Sequence, residues 1–277
     1  MKTQTISFIG GGNMATSLIG GILKTGHDPE RLWVSEPDVH RRSALAGRFG
    51  IHATEDNTEA AEQADTVVFA VKPQSLRPAA QALAGAISRR RPLVISVAAG
   101  VREPDIRRWL GFEAAIVRAM PNTPALVSSG AAALFANPQV SASQRSRAES
   151  LLRAVGMTLW VEKESDMDIV TALSGSGPAY FFLVMEILET VGGEMGLDPE
   201  TARLLTLETA FGAAKMALES PEPLPSLRAR VTSPGGTTEH ALTVLTEGDM
   251  AGLFANALRA ARDRSIELGR RLGDDLG

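Results

Sequence analysis

The chain has 277 residues, 22% of them charged, and a formal net charge of −4 at pH 7. That length holds one large domain or two modest ones around a real core, with two the better expectation, and the near-neutral balance leaves no electrostatic footprint for nucleic acid or an anionic membrane. Cysteine is absent, which excludes disulfides, thiolate metal sites and a cysteine nucleophile, and four scattered histidines argue against a metal centre. The apolar amino-terminal run is only a strand long and has neither a cationic region nor a cleavage site, so it does not read as a signal peptide. No apolar stretch free of charge reaches membrane-spanning length. The basic runs Arg89-Arg90-Arg91 and Arg270-Arg271 read as solvated helix ends. A cytoplasmic protein acting on a small molecule is expected, with no membrane and no nucleic acid as partner.

In chain order, Ile6-Ser7-Phe8-Ile9 breaks into Gly10-Gly11-Gly12 and resumes with helical periodicity at Met14, Leu18, Ile19, Ile22 and Leu23, ending at Gly26. Strand, tight turn and helix follow one another. Gly10 lets the chain turn sharply, Gly12 has no Cβ to hold off a pyrophosphate, and Ala15 lets the helix pack close to the strand. This is the G-x-G-x-x-A dinucleotide fingerprint. Main-chain N–H groups around Asn13 and Met14, with the positive end of the helix dipole, suit phosphates without a cationic side chain. The second strand, Leu32-Trp33-Val34-Ser35, leads into Glu36, about 20 residues past the glycines, where the fingerprint expects an acid. A helix over 41–49 closes at Gly50, a brief strand covers 51–53, and Asn57 follows on the adenosine side. Residues 65–71, 92–98 and 115–118 are apolar, β-branched runs that read as strands buried on both faces of a sheet, with helices over 75–87 and 103–110 between them. Strand alternating with helix predicts an α/β fold, a doubly wound parallel sheet with helices on both faces.

The pattern changes near residues 162–168. Before that point come a strand at 131–135, a helix at 143–155 and a strand at 158–161. After it no strand pattern recurs, and helical stretches at 177–195, 199–219 and 252–272 are separated by proline and glycine clusters. Asp198-Pro199 opens one of them, an acidic N-cap followed by proline at the first helical position. An all-helical remainder of this size has little room for a closed core of its own, which predicts pairing with a second subunit. The expected domains are 1–163 and 164–277. No internal repeat or low-complexity linker is present.

Ligands of an open α/β sheet bind beyond the carboxyl ends of its strands. There, Ala70-Val71-Lys72-Pro73-Gln74 turns a buried strand directly into a lysine and a proline, and Ala98-Ala99-Gly100 ends another in small residues that leave room for a flat ring. Residues 118–124 end a third with two prolines bracketing polar groups. Each alone fits a plain βα loop; together, on the edge that carries the fingerprint, they favour a nicotinamide cofactor. In the helical half, Leu173-Ser174-Gly175-Ser176-Gly177-Pro178-Ala179-Tyr180 and Ser233-Pro234-Gly235-Gly236-Thr237-Thr238 place small residues before helices. Such segments gather N–H groups and hydroxyls, which suits a carboxylate without a buried cation. An elaborate helix cap is the alternative, and the successive glycines Gly235 and Gly236 exceed what a cap requires.

Taken in order, residues 10–15, 70–74, 118–124, 174–180 and 233–238 resemble pyrroline-5-carboxylate reductase, from the first strand to the last helix and without large insertions. The proline-glycine-glycine-threonine segment is the specific part; the glycine fingerprint is generic. The resemblance implies a Rossmann domain followed by an all-helical dimerisation and substrate domain, and NAD(P)H-dependent reduction of 1-pyrroline-5-carboxylate to L-proline. It implies a homodimer with interleaved helices that assembles further into a ring. Carried over residue by residue, the Thr238 hydroxyl contacts the imine nitrogen, while Ser233 and the amides of Gly236 and Thr237, with Gly235 in the same turn, hold the carboxylate. Threonine is a poor acid, so Thr238 is assigned to orientation and polarisation, with the proton already on the imine or arriving through water. His240 and Tyr180 are read as packed residues. The cofactor set is Gly10, Gly12, Asn13, Met14, Ala15, Ser35, Glu36, Asn57, Ala70, Val71, Lys72, Pro73, Gln74, Ala98, Ala99 and Gly100. Glu36 stands where an acid accepts from the ribose 2′-OH of NAD and repels the 2′-phosphate of NADP, whereas Arg41 and Arg42 follow closely and the family mostly uses NADPH; NADP is expected, with NAD accepted. A β-hydroxyacid dehydrogenase is the enzymatic rival, but its lysine on the first long helix of the second domain has no counterpart in residues 177–183, and Lys215 lies on a later helix. A non-catalytic NAD(P) sensor would leave residues 233–238 without a purpose.

Overall fold

The computed structural model describes residues 4–274. Its elements are, in order, β1 (Ile6–Ile9), α1 (Asn13–Lys24), β2 (Leu32–Ser35), α2 (Val39–Phe49), β3 (His52–Thr54), α3 (Asn57–Glu62), β4 (Thr66–Phe69), α4 (Pro73–Arg90), β5 (Leu93–Ser96) and α5 (Glu103–Leu110). Then follow β6 (Ile116–Met120), β7 (Gly130–Ala136), α6 (Ala142–Arg153), β8 (Gly156–Trp160), α7 (Asp166–Val170), α8 (Gly177–Glu194), α9 (Pro199–Glu219), α10 (Leu224–Arg230), α11 (Thr237–Glu247) and α12 (Met250–Gly273). Local chemistry sets many of these bounds. Asp38 caps α2 by accepting from the Arg41 N–H at 2.8 Å, and Gly50 ends the helix in the left-handed region at φ 65°. Ser141 and Gln144 form a capping box on α6, and Asp198 caps α9 ahead of Pro199.

The eight strands form one sheet in the order β3-β2-β1-β4-β5-β6-β7-β8. β1 to β6 are mutually parallel, as expected, and the reversal of order at β1/β4 places the fingerprint turn at the switch point. The far edge departs from a purely parallel sheet: β7 runs antiparallel to β6, and β8 parallel to β7. The cause is the connection. Between Met120 and Gly130 the chain makes only a 3-10 turn, Thr123–Val127, too short for a helical crossover, so the strand must return in the opposite direction. One face of the sheet packs Phe8, Val68 and Ile95 against Leu18 and Ile22 of α1 and Leu151 of α6; the other packs Ile9, Phe69 and Val94 against Leu83 of α4 and Ile106 of α5. Each fully buried side chain of this size contributes roughly 1.5–3 kcal/mol.

The chain divides into two compact units, one running to Ser176 and resuming at Ala260, the other comprising Gly177–Arg259. In the second, large side chains stay on the surface: Phe181, Phe182 and Leu183 of α8, Phe211 of α9 and Leu253 of α12 are all more than half exposed. An apolar cavity of about 400 Å³ lies among Tyr180, Leu183, Ile187, Val244, Leu253 and Phe254. The helical run Asp166–Glu194 is long and apolar enough, by length and composition alone, to cross a membrane, and only 17% of its most apolar window is buried. Periodicity did not reveal α3, α7 or α10, each of seven residues or fewer, nor the π-helical turn Thr171–Gly175 that joins α7 to α8.

Candidate functional site

The three glycines answer to three different constraints. Gly10 has φ +99°, its N–H donates to the Ser35 carbonyl at 2.9 Å, and a Cβ there would stand 2.9 Å from the Ala70 carbonyl oxygen. The turn therefore needs glycine on both conformational and steric grounds. Around Gly12, in contrast, an added Cβ would meet nothing within 4 Å. It is the N-cap of α1 and brings no side chain to the first-turn amides, which have no helical carbonyl to bond. Ala15 is fully buried and packs α1 against the sheet. Gly11 belongs to neither class: a Cβ on it would come within 2.7 Å of Leu45 and 3.1 Å of Glu36 Oε2.

Glu36 turns inward rather than outward. Its residue exposure is 6%; Oε2 accepts from the Gly11 N–H at 2.9 Å and Oε1 from the Asp38 N–H at 3.0 Å. Arg41, more than half exposed, lies 3.6 Å from the same carboxylate, and Arg42 donates to the Glu36 and Pro37 carbonyls at 2.7 and 3.1 Å. The carboxylate thus ties β2 to the glycine turn. Ser35 is fully buried, and its hydroxyl donates to Asn57 Oδ1 at 2.6 Å, joining the end of β2 to the start of α3. At the next strand end Ala70 touches Gly10, Val71 and Pro73 are half-buried, and Lys72 and Gln74 are exposed, with Lys72 as the N-cap of α4. After β5, Ala98 is buried with its N–H donating to Ser96 Oγ at 3.3 Å, Ala99 is half-buried, and Gly100 takes φ +79°.

Residues 118–124 divide between two tasks. Arg118 is buried and pairs with Glu164 at 2.8 Å; the same Glu164 oxygen accepts from the Glu103 N–H, and the Glu103 carboxylate accepts from Asn137 Nδ2 at 2.8 Å. Burial raises the Glu103 pKa above its ordinary 4.5. This network braces β6 against α5, and removing one partner of such a buried pair costs about 3–5 kcal/mol. By position Arg118 belongs with the ligand edge; its place as a charged residue inside a β-branched run is the sign in the sequence that it is buried and paired. Asn122, in contrast, reaches the π-helical turn, donating to the Ser174 carbonyl at 3.1 Å and accepting from the Ala131 N–H at 2.9 Å. The Ser176 N–H bonds the Thr171 carbonyl five residues back at 2.8 Å, so that turn is a true π-bulge, a distortion found often at functional sites.

In the helical unit, residues 233–238 form the turn before α11. Gly235 takes φ +69° and donates to Glu239 Oε2 at 2.6 Å; the Gly236 N–H donates to the Ser233 carbonyl at 2.9 Å, and a Cβ on Gly236 would sit 2.9 Å from that oxygen. Both glycine amides are thus engaged inside the turn. Thr237 and Thr238 open α11, where first-turn amides have no helical carbonyl to bond, and Gly236 as N-cap brings no side chain to them. Ser233 and Thr237 are exposed, and Thr238 is half-buried. The segment accordingly offers two amides and three hydroxyls to an anion.

Both halves of the chain are similar to known proteins. Residues 164–268 match the pyrroline-5-carboxylate reductase dimerisation family, and residues 5–100 match the family of NADP oxidoreductases described as coenzyme F420-dependent. A curated pyrroline-5-carboxylate reductase of Pseudomonas aeruginosa is 48% identical over 273 residues, covering 99% of this chain and all of the relative. Among solved structures, a pyrroline-5-carboxylate reductase of Coxiella burnetii superposes with a TM-score of 0.92 at 47% identity, covering 96% of this chain and 98% of that one. The Plasmodium falciparum pyrroline carboxylate reductase, solved with NADP bound, gives 0.87 at 30% identity, covering 97% and 99%. A nicotinamide-binding α/β unit followed by helices of a dimerisation family, matched over the full length at this identity, leaves one assignment: the chain belongs to the pyrroline-5-carboxylate reductase family, as an NAD(P)H-dependent oxidoreductase.

Proposed function

We propose that the two units divide the reduction of 1-pyrroline-5-carboxylate to L-proline between them, the sheet unit holding the cofactor and the Ser233–Thr238 turn holding the substrate. The observation that carries this reading is the contrast among the glycines. Gly10 and Gly11 are hemmed in by protein, whereas the space beside Gly12, at the mouth of α1, is open on the side a pyrophosphate would take. The first-turn amides from Asn13 and Met14 would meet the phosphates, Ala70 to Gln74 and Ala98 to Gly100 would flank the nicotinamide, and the Ser35–Asn57 pair would shape the adenosine end. The bound cofactor supplies a hydride to the C=N carbon.

On the substrate side, the Thr237 and Thr238 amides with the Ser233 hydroxyl would bind the carboxylate, Gly235 and Gly236 holding the turn open to it. With the proton already on the imine or arriving through water, electron density moves onto nitrogen as the C=N bond is reduced, and the Thr238 hydroxyl would stabilise it by hydrogen bonding. Proximity of two bound reactants supplies much of the acceleration. NADPH is the favoured cofactor, with NADH accepted: the Glu36 carboxylate is engaged by main-chain donors, so its repulsion of a 2′-phosphate is muted, and the exposed Arg41 is available to that phosphate. The exposed apolar faces of α8, α9 and α12 would be covered in a homodimer that assembles further into a ring, in the cytoplasm and away from any membrane.

The test is to follow NADPH and NADH oxidation separately with pyrroline-5-carboxylate, in the parent and in Glu36→Ser. Oxidation of both, faster with NADPH, is expected. Because Glu36 ties down Gly11, Glu36→Ser should raise KM for both cofactors by about threefold to tenfold, consistent with loss of one or two charge-assisted hydrogen bonds, and shift their ratio little. A selective gain for NADPH of tenfold or more would show that the carboxylate faces the ribose instead.

A further inference from the structure

The last turns of α12 belong to the sheet unit, although the helix starts in the other one. The residues they bury are small, Ser265, Gly269 and Gly273, spaced four apart on one stripe of the helix. Glycine inside a helix weakens it relative to alanine, so two in this stretch call for a reason. Close approach supplies it. A Cβ on Gly269 would stand 2.8 Å from the Gly100 carbonyl oxygen and 3.2 Å from Arg102 Nε, and one on Gly273 would run into the Asp105 carboxylate. The Gly273 carbonyl accepts from Arg108, while Ser265 donates to Asp168 at 2.6 Å, and Asp168 faces Arg102 at 3.9 Å. Seen from the other side, a Cβ on Gly100 would lie 3.6 Å from Leu268 Cβ and 3.7 Å from the Gly269 nitrogen. Helix and turn are therefore in main-chain contact where β5 gives way to α5.

We propose that this stripe positions the cofactor: Ser265, Gly269 and Gly273 seat α12 beneath residues 100–105 and so set the height of the Ala98-Ala99-Gly100 turn on which the nicotinamide ring rests. The inference deepens the cofactor reading above and rests on it. Ser265, Gly269 and Gly273 act through that turn and are positioning residues.

Gly269→Ala puts one methyl 2.8 Å from the Gly100 carbonyl oxygen, too close for helix and turn to keep their present spacing. A displacement of this kind should lower kcat/KM for NADPH on the order of tenfold and weaken NADPH binding in a fluorescence titration, with KM for pyrroline-5-carboxylate unchanged at saturating cofactor. Ser265→Ala removes the tie to Asp168 without a clash and should act in the same direction more weakly; it decides the matter if Gly269→Ala does not fold. Arg264→Ala, on the exposed side of the same turns, should be silent. Ala99→Leu tests the cofactor reading itself, since it crowds the turn directly. If Ala99→Leu weakens NADPH binding while Gly269→Ala and Ser265→Ala change only the melting temperature, the stripe is structural and the proposal falls alone. If Ala99→Leu leaves NADPH binding unchanged, the turn does not carry the ring and both fall.

Discussion

In the sheet unit Phe8, Phe69 and Leu83 are fully buried, whereas in the helical unit Phe181, Phe182, Ile187 and Phe211 are each more than half exposed. The first unit closes its own core on both faces of a sheet; the second has apolar faces and nothing within the chain's own unit to cover them. The difference separates two kinds of site. The proposed cofactor edge is held by a scaffold that is complete in one chain, with Glu36, Ser35 and Asn57 locked by hydrogen bonds. The proposed substrate turn sits among helices whose apolar faces are exposed in the single chain, so on this reading substrate handling should fail with the oligomer while cofactor binding need not.

Placing a charge on the apolar face is the most forceful way to break that contrast. Phe182→Glu exposes nothing new in a lone chain, but in an assembled interface it loses about 1.5–3 kcal/mol of burial and adds the cost of desolvating a carboxylate. Self-association should weaken by at least ~10²–10³-fold and turnover should fall with it, while NADPH binding stays within reach of the parent; analytical ultracentrifugation with a fluorescence titration reads both. A variant that remains dimeric and active would show that this face is ordinary surface.

Gly12→Val strikes the other unit alone. A Cβ at this position meets nothing within 4 Å, so the main expected cost to stability is a poorer N-cap, about 1 kcal/mol. Cofactor affinity should fall by ~10² or more, because the new methyls occupy the approach of the pyrophosphate. Unaltered NADPH binding would place the phosphates elsewhere.

A smaller effect distinguishes the units by pH. His27, 4% exposed, has neither ring nitrogen in a well-aligned hydrogen bond, and burial holds its pKa below the ordinary 6.5. The folded state therefore binds fewer protons than the unfolded one, so stability is fully present above 6.5 and declines as pH falls from there towards the lowered folded value. Glu103 and Asp105 act in the opposite sense: burial raises both, and acid relieves the cost of their charge. The sheet unit should lose stability as pH falls through the His27 window, and His27→Phe should flatten that slope. An unchanged slope in the variant would assign it to other groups.

How much of this was legible in the sequence depended on length and on the kind of contact. Long periodic or β-branched runs gave their elements directly: β2, α5 and α9 have the expected bounds, and the glycine turn lies at the switch point. Short helices such as α3 and α10 carry too few turns to show a period. The antiparallel β7 could not be read from its own residues, since its direction follows from the short connection before it. Glu36 and Arg118 were visible as charges near a ligand edge, yet their inward orientation depends on partners far away in sequence, Gly11 and Glu164. The α12 stripe, Ser265, Gly269 and Gly273, is regular in sequence, but only the fold shows that Gly100 lies against it.

Steady-state kinetics of Thr238→Val and Ser233→Ala at saturating NADPH tell whether substrate activation belongs to the Ser233–Thr238 turn or to the cofactor edge. Thr238→Val keeps the side-chain shape and removes one hydrogen bond that strengthens as charge develops on nitrogen. Turnover should fall by about tenfold to a hundredfold, below the ~10²–10³ of a full oxyanion-hole donor because a protonated imine needs less help. Ser233→Ala should mainly raise KM for pyrroline-5-carboxylate, since the carboxylate is bound alike in ground and transition states, and NADPH affinity should be the parent's in both. Parental turnover in Thr238→Val together with parental KM in Ser233→Ala would move the substrate site away from this turn.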